Sequence, residues 1–366
     1  MSILNIMWSG GSAYLSTHKV HREILGFIQQ QELVCSWLLL PGESSVLEEL
    51  GSVDSLGLSC QRLKGNGWRL GQRFIDHLRL RRRLLRASPR LVILDGIGVA
   101  RYLLPILKKM TSIRVIVIFH GRKSMRPVEI RRLREFPAER LYLVAVSNTL
   151  ADDVSQQTGL PVLGARSALD PVQFQDQLLT RDAARAALGL PADVSGVLGA
   201  VGRLVPEKGF VNLLKAVVSI LQADARLHLV IVGEGLMRAE LEGLILLHGL
   251  QAQVHLPGHV ADAIALYRAF DLVCIPSEQE GLGLVLQEAV IAGVPVLVSD
   301  LPVFREQLDG VEGFVAATNT DVWCIAITQF LLGKCGYLAS RQYARLAPEC
   351  AWIEFQNIYR KLLRFS

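Results

Sequence analysis

Short apolar runs of four to eight residues alternate along this chain with segments of helical spacing, and the alternation passes through the sequence twice. The first series predicts strands at Ile3–Trp8, Leu33–Leu40, Leu91–Asp95, Arg114–Phe119 and Leu141–Val146. Helical patterns lie among them at His18–Gln30, Leu70–Arg86, Val99–Met110 and Val128–Glu135. Strands that are apolar throughout are buried on both faces, and helices between them supply the crossovers that parallel pairing requires. The pattern fades between Gly164 and Arg181 and restarts with strands at Val197–Val201, Leu227–Val232, Gln253–Leu256, Leu272–Ile275 and Val294–Ser299. Helices are expected at Phe210–Gln222, Leu236–Leu247, Ala261–Arg268 and Leu284–Ala292, with two more after Ala339, the last from Trp352 to Leu363. The expected fold class is α/β, with two doubly wound parallel sheets and no residue-level repeat relating them. Ligands on such sheets bind beyond the C-terminal ends of the strands.

At 366 residues and 51% hydrophobic content the chain is long enough for two cores, and a charged content of 20% argues against disorder. The longest apolar runs stop short of the ~20 residues that a spanning helix needs. Ile3–Trp8 has no basic segment before it and reads as a first strand rather than a secretory signal. Cys35, Cys60, Cys274, Cys324, Cys335 and Cys350 are scattered. That spacing supports neither a metal site nor a disulfide framework, and it fits a reducing cytoplasm. The net charge of +5 conceals an asymmetry, because residues 1–170 carry 24 Lys and Arg against 14 Asp and Glu, and residues 171–366 carry 15 against 20. The excess concentrates in Arg79–Arg86 and between Arg122 and Arg140. A solvated helix face is the simplest account of the first run. Attraction to an anionic membrane surface or a phosphate-bearing acceptor is the alternative. Nucleic acid is not an expected partner, since no aromatic residues interleave the run.

The second half carries the sharper chemistry. Pro276-Ser277-Glu278-Gln279-Glu280-Gly281-Leu282-Gly283-Leu284-Val285-Leu286-Gln287-Glu288 places two carboxylates around a glycine-rich turn, between a predicted strand and a helix ended by Gly293. Free backbone N–H groups at such a helix start favour an anion. With Glu280 at the strand mouth and Glu288 behind it on the helix, the turn suits a ligand with a diphosphate and two sets of hydroxyls. A second cluster, Val201-Gly202-Arg203-Leu204-Val205-Pro206-Glu207-Lys208-Gly209-Phe210, also lies between a strand and a helix. Arg203 offers phosphate a planar fork and Lys208 a point charge. Alone, this spacing would be a surface loop with solvated charges; a second phosphate-suited turn on the same sheet shifts the balance.

These two motifs, in order and with Val232-Gly233-Glu234-Gly235 and Phe270-Asp271-Leu272 between them, resemble retaining glycosyltransferases of family four (glycosyl transferases group 1), some of which build lipopolysaccharide core. The likeness is dense from Gly199 to Leu308 and thinner before it. It implies a GT-B fold, with two Rossmann-like domains facing each other across a cleft. The expected boundaries are 1–170 for an acceptor domain and 171–350 for a donor domain, with a helix at 351–366 returning to the first. The resemblance implies that Arg203 and Lys208 hold the donor diphosphate and stabilise the leaving charge. It assigns hydroxyls of the transferred sugar to Glu280 and ribose hydroxyls to Glu288. The backbone at Gly281, Leu282, Gly283 and Leu284 would lie beside the donor. In the first half, Gly10-Gly11-Ser12 resembles the family's glycine loop, although a Gly pair after a strand is also an ordinary turn. His120, before Gly121, matches a position where His faces the donor sugar. Ser147-Asn148 is accounted for by an N-cap.

Leu282 stands where the family often has Phe, Ser167-Ala168-Leu169-Asp170 replaces Asn-Gly-Ile-Asp, and Asp300-Leu301-Pro302-Val303 replaces a glycine-rich loop with Glu306 beyond it. These departures leave the choice of sugar open. Asp-x-Asp is absent from the sequence, in keeping with a metal-independent mechanism. The expectation is a retaining hexosyltransferase, cytoplasmic or peripheral on the inner membrane face. It would use a UDP- or GDP-sugar and no cofactor to elongate a glycan or lipid-linked acceptor in lipopolysaccharide or surface polysaccharide synthesis. Its rivals are a sugar-nucleotide epimerase of the same fold, which needs no acceptor, and a silent nucleotide-sugar-binding subunit of a synthase.

Overall fold

A computed structural model of the chain describes residues 2–10, 15–28, 33–59, 70–316, 318–333 and 337–363. The chain divides into two compact units, Met1–Ser167 with Glu354–Ser366, and Ala168–Ile353.

The first unit is built on strands β1 (Ser2–Met7), β2 (Leu33–Leu38), β3 (Ser52–Ser55), β4 (Leu91–Asp95), β5 (Arg114–Phe119), β6 (Leu141–Ala145) and β7 (Leu163–Gly164). They pair in parallel in the order β3-β2-β1-β4-β5-β6-β7. The central strands are apolar on both faces because helices cover both: Leu91, Val92, Ile93 and Leu94 are fully buried, as are Val115, Val117 and Ile118. The C-terminal part of the helix Pro348–Leu363 completes this unit, with Phe355 edge-on to Phe27 and Leu363 O accepting from Arg90. Leu80 and Leu84 anchor the helix Leu70–Ala87, while Arg79, Arg81, Arg82, Arg83 and Arg86 are exposed. No helix among the described residues is long and apolar enough to cross a membrane.

The second unit has strands β8 (Gly196–Val201), β9 (Leu227–Val232), β10 (Val254–Gly258), β11 (Leu272–Ile275), β12 (Val296–Ser299) and β13 (Phe314–Val315), parallel in the order β10-β9-β8-β11-β12-β13. One core lies on each face of this sheet. Tyr267, Leu286 and Phe304 fill one, and Leu213, Leu241 and Trp323 fill the other.

Several elements differ from expectation. The strands β3, β7 and β13 carry too little apolar alternation to be read, because they sit at or beside sheet edges, and β3 is mostly exposed. The stretch between Gly164 and Arg181, where the pattern fades, holds the helix Pro171–Asp176, and the helix Arg181–Ala187 follows it. Their N-caps, Asp170 and Thr180, accept from the first-turn N–H groups. The segment predicted as a helix at Ala261–Arg268 is 3₁₀ turns over Ala263–Ala269. The final helix begins at Pro348 rather than Trp352, since proline fits a first helical turn.

Candidate functional site

In the second unit the strand order reverses between β8 and β11, and the loops leaving those two strands carry both charged motifs. Adjacent crossovers turn to opposite faces at a reversal and leave a crevice, where open parallel sheets bind ligands. The loop after β8 is supported by the loop after β9: Leu204 N–H donates to Glu234 O at 2.8 Å, and Met237 N–H donates to Leu204 O at 2.9 Å. On its other side it meets the loop after β11, where Glu278 N–H donates to Glu207 O at 2.9 Å. The chains are in backbone contact here. Gly209 has φ +69°, and a Cβ on it would lie 2.1 Å from Pro276 O.

This packing brings together two of the predicted residues. Lys208 Nζ donates to Glu280 Oε1 in an ion pair, and Ser277 Oγ donates to the same oxygen at 2.9 Å. Only 17% of the Lys208 side chain and 12% of that of Glu280 remain exposed, so each charge depends on the other for neutralisation. Arg203 is exposed and makes no ion pair among the described residues. Glu288 lies on the helix Leu284–Ile291, whose opposite side buries Leu286 and Val290. The buried Tyr267 hydroxyl donates to Glu288 Oε2 at 2.5 Å. Burial first, then the Glu288 charge, holds the Tyr267 phenol well above its usual range, so it remains a donor. One carboxylate oxygen is thereby oriented. The Gly281–Leu282–Gly283 turn is fixed from beneath, where Gln307 Nε2 donates to Leu282 O at 2.8 Å and Gln307 Oε1 accepts from Gln287 at 3.0 Å. A Cβ on Gly283, at φ +79°, would meet Phe304 Cε1 at 2.4 Å.

In the first unit the reversal lies between β1 and β4. Gly10 follows β1, and a Cβ there would lie 2.3 Å from Glu43 O, so this glycine lets the Gly42–Glu43 backbone pass. Gly11 lies outside the described residues. His120, just beyond β5, has Nε2 3.0 Å from His21 Nε2 and 3.6 Å from Asp95 Oδ1. His21 is fully buried and its Nδ1 lies 2.7 Å from Asn5 Oδ1. Ser147 caps the helix Asn148–Thr158 by accepting from Leu150 N–H at 3.2 Å. The ligand atoms of His21, Asp95 and His120 lie within 4.8 Å of one another, a set able to hold a divalent transition metal that the cysteine spacing alone did not suggest.

Burial keeps these imidazoles neutral. His120 is pushed down to about 3, with His18 adding to the effect, and His21 is held well below its usual range for the same reason. Burial raises Asp95 to about 6, against the Trp8 N–H bond. Below the ordinary imidazole value of about 6.5 the unfolded chain therefore gains protons that the native histidines refuse. Each histidine weakens folding by about 1.4 kcal/mol per pH unit of acidification. Asp95 works in the opposite sense, binding its proton first in the native state between about 6 and 3.8. The net expectation is a loss of about 1.4 kcal/mol per unit as pH falls through that window. Urea unfolding of wild type should show this limb and His120→Gln a flatter one; a level wild-type curve would refute the neutral cluster.

Residues 182–345 match the family described as Glycosyl transferases group 1. This segment is a group 1 glycosyltransferase domain. It contains Arg203, Lys208, Glu280 and Glu288 together with the β8/β11 reversal. The chain is 38% identical over 189 residues to the D-inositol 3-phosphate glycosyltransferase of Mycobacterium tuberculosis H37Rv, a match covering 47% of this chain and 37% of that relative. The match thus spans little more than a third of the relative's length. Among solved structures, Anabaena HepE in complex with UDP superposes over 99% of this chain and 98% of its own, with TM-score 0.77 and 19% identity. The lipopolysaccharide outer core galactosyltransferase WaaB aligns over 100% of both chains with TM-score 0.68 and 14% identity. Both likenesses are of fold, and the fold is GT-B.

Within the group 1 domain, sequence reading missed Tyr267, Ser277 and Gln307. Each acts through a charged or backbone group distant in sequence, and a tyrosine in a helical pattern ordinarily reads as core. In the first unit it missed His21 and Asp95. Asp95 had a signal, since it closes a predicted strand where this architecture places its sites.

Proposed function

We propose that the chain is a retaining glycosyltransferase that binds a nucleotide diphosphate sugar on its group 1 domain and passes the hexose to a glycan or lipid-linked acceptor. The observation that carries this reading is the Lys208–Glu280 pair at the β8/β11 reversal, with the Tyr267-oriented Glu288 behind it. A diphosphate leaving the sugar gains negative charge, and cations already in place lower that barrier without reorganising. Arg203 and Lys208 fill this role in place of a divalent ion. Glu280 accepts from hydroxyls of the sugar, Glu288 from the ribose, and His120 contacts the hexose. The two carboxylates thus serve different parts of one donor and are not a hydrolytic acid/base pair. HepE, which shares the fold, has been solved with UDP and with UDP-glucose, which supports a uridine donor. The exposed arginines of the helix Leu70–Ala87 support an anionic, lipid-linked acceptor at the inner membrane face, as in lipopolysaccharide core or surface polysaccharide synthesis.

A thermal-shift panel of UDP-, GDP-, ADP- and dTDP-sugars tests the donor. At a hundredfold excess over Kd, one donor should stabilise by about 2.7 kcal/mol, or about 5–10 °C for a unit of this size. The Arg203→Ala/Lys208→Ala variant should lose that shift. Stabilisation by no donor, or an undiminished shift in the double variant, would overturn the reading.

A further inference from the structure

We infer that Asp95, acting on the hydrogen-bonded chain Asn5–His21–His120, is a positioning residue that locks His120 as the Nε2–H tautomer and so leaves its Nδ1 as a fixed hydrogen-bond acceptor. The two buried Nε2 atoms of His21 and His120 are 3.0 Å apart, a hydrogen-bond distance that requires one proton between them. That shared proton satisfies both nitrogens and accounts for the contact without a metal ion. Two arrangements can supply it. In one, Asn5 Oδ1 accepts His21 Nδ1–H at 2.7 Å, His21 Nε2 accepts from His120, and Asn5 Nδ2 donates to Ser36 Oγ at 3.3 Å. In the other, the Asn5 amide is turned over, every bond reverses, and His120 presents a lone pair at Nε2 and a proton at Nδ1. Asn5 and Ser36 cannot choose between these, because both can donate and accept.

Asp95 makes the choice. Its Oδ1 lies 3.6 Å from His120 Nε2, and its other oxygen, Oδ2, accepts from Trp8 N–H at 3.4 Å. A carboxylate attracts an N–H at that distance and repels a lone pair, so the proton belongs on His120 Nε2. Which ring nitrogen carries the proton is set by the bond the other one makes. Asn5, His21 and Asp95 lie on β1, the helix Leu15–Leu25 and β4, and three separate elements converge on one imidazole. The consequence for turnover rests on the donor reading above: His120 accepts from a sugar hydroxyl through Nδ1 and is unable to protonate a leaving group.

The test is the long-range ¹H–¹⁵N spectrum of the full chain carrying ¹⁵N-histidine, at neutral pH, with His120 assigned from its loss in His120→Gln. Wild type should show His120 with a pyrrole-type Nε2 and a pyridine-type Nδ1. Asn5→Asp should keep that signature, because a carboxylate can only accept from His21 Nδ1–H. Asp95→Asn, which removes the charge that chooses between the two arrangements, should give mixed tautomers, and the same spectra report whether the variants are folded. In Asp95→Asn, kcat should fall about tenfold while the donor KM stays within about threefold, a split that loss of binding would not give. A wild-type His120 protonated at Nδ1, or a tautomer indifferent to Asp95→Asn, overturns the proposal. The expected tautomer without turnover of any donor would remove only the functional reading. Turnover with the opposite tautomer would remove only the lock.

Discussion

Lys208→Ala is expected to lower kcat/KM for the sugar donor by about 10²–10³-fold, in the range found when one preorganised charge-stabilising group is deleted. Arg203→Ala should cost less, about tenfold to a hundredfold, the worth of a charged hydrogen bond alone. The asymmetry follows from the partners. Arg203 is exposed and unpaired among the described residues, so its removal loses only the contact proposed for it with the diphosphate. Lys208 also neutralises Glu280, whose carboxylate is 12% exposed. Its removal leaves an uncompensated negative charge beside the position assigned to an anionic ligand. Adding Glu280→Ala to Lys208→Ala should therefore lose less than the two single losses multiplied together. Steady-state kinetics on the four proteins of that cycle measures the coupling. Strictly multiplicative losses would show that the two residues act independently and would count against the ion pair as the organising contact of the site.

What could be read in the sequence followed distance along the chain. Strand β4 was legible because Leu91 to Leu94 are buried on both faces and nothing interrupts the run. Helix Leu284–Ile291 was legible because Gly283 and Gly293 bracket it. Strand β3, Ser-Val-Asp-Ser, was not, since an exposed edge strand has no hydrophobic pattern to enforce. The helix Thr320–Leu331 was not legible although Asn319 caps its start, because its apolar residues do not keep to one face: Trp323 and Ile327 are buried while Val322 and Ile325 are exposed. At the site, charged residues inside dense motifs were visible and their partners were not. Lys208 and Glu280 are 72 residues apart, and His21 and His120 are 99. Such pairs are created by strand order, and strand order is decided by which crossovers reverse at β1/β4 and β8/β11. A histidine three residues from another on an amphipathic helix gives no sign that a strand far along the chain will deliver its counterpart.

Gly209→Ala is expected to be among the most damaging single methyl additions in the second unit. At φ +69° a non-glycine residue is strained by about 1–3 kcal/mol. The added Cβ would also lie 2.1 Å from the Pro276 carbonyl oxygen, which is backbone and cannot rotate away. Relief requires the loop after β8 to separate from the loop after β11, and that same movement pulls Lys208 from Glu280 and breaks the Glu278–Glu207 backbone bond. The combined loss should reach about 3 kcal/mol or more, lowering the midpoint by about 6–12 °C for a unit of this size. Gly243→Ala is the matched control: Gly243 lies in the helix Arg238–Leu247, and a Cβ there meets nothing within 4 Å. Replacing a mid-helix glycine by alanine should stabilise by about 0.5–1 kcal/mol. The two substitutions add the same atom to the same unit, so a difference in sign isolates the backbone contact from any general intolerance. A Gly209→Ala protein with an unchanged midpoint and an intact donor shift would mean that the two loops tolerate separation. The Lys208–Glu280 pair would then owe its geometry to the side chains alone and not to the glycine that brings their backbones together.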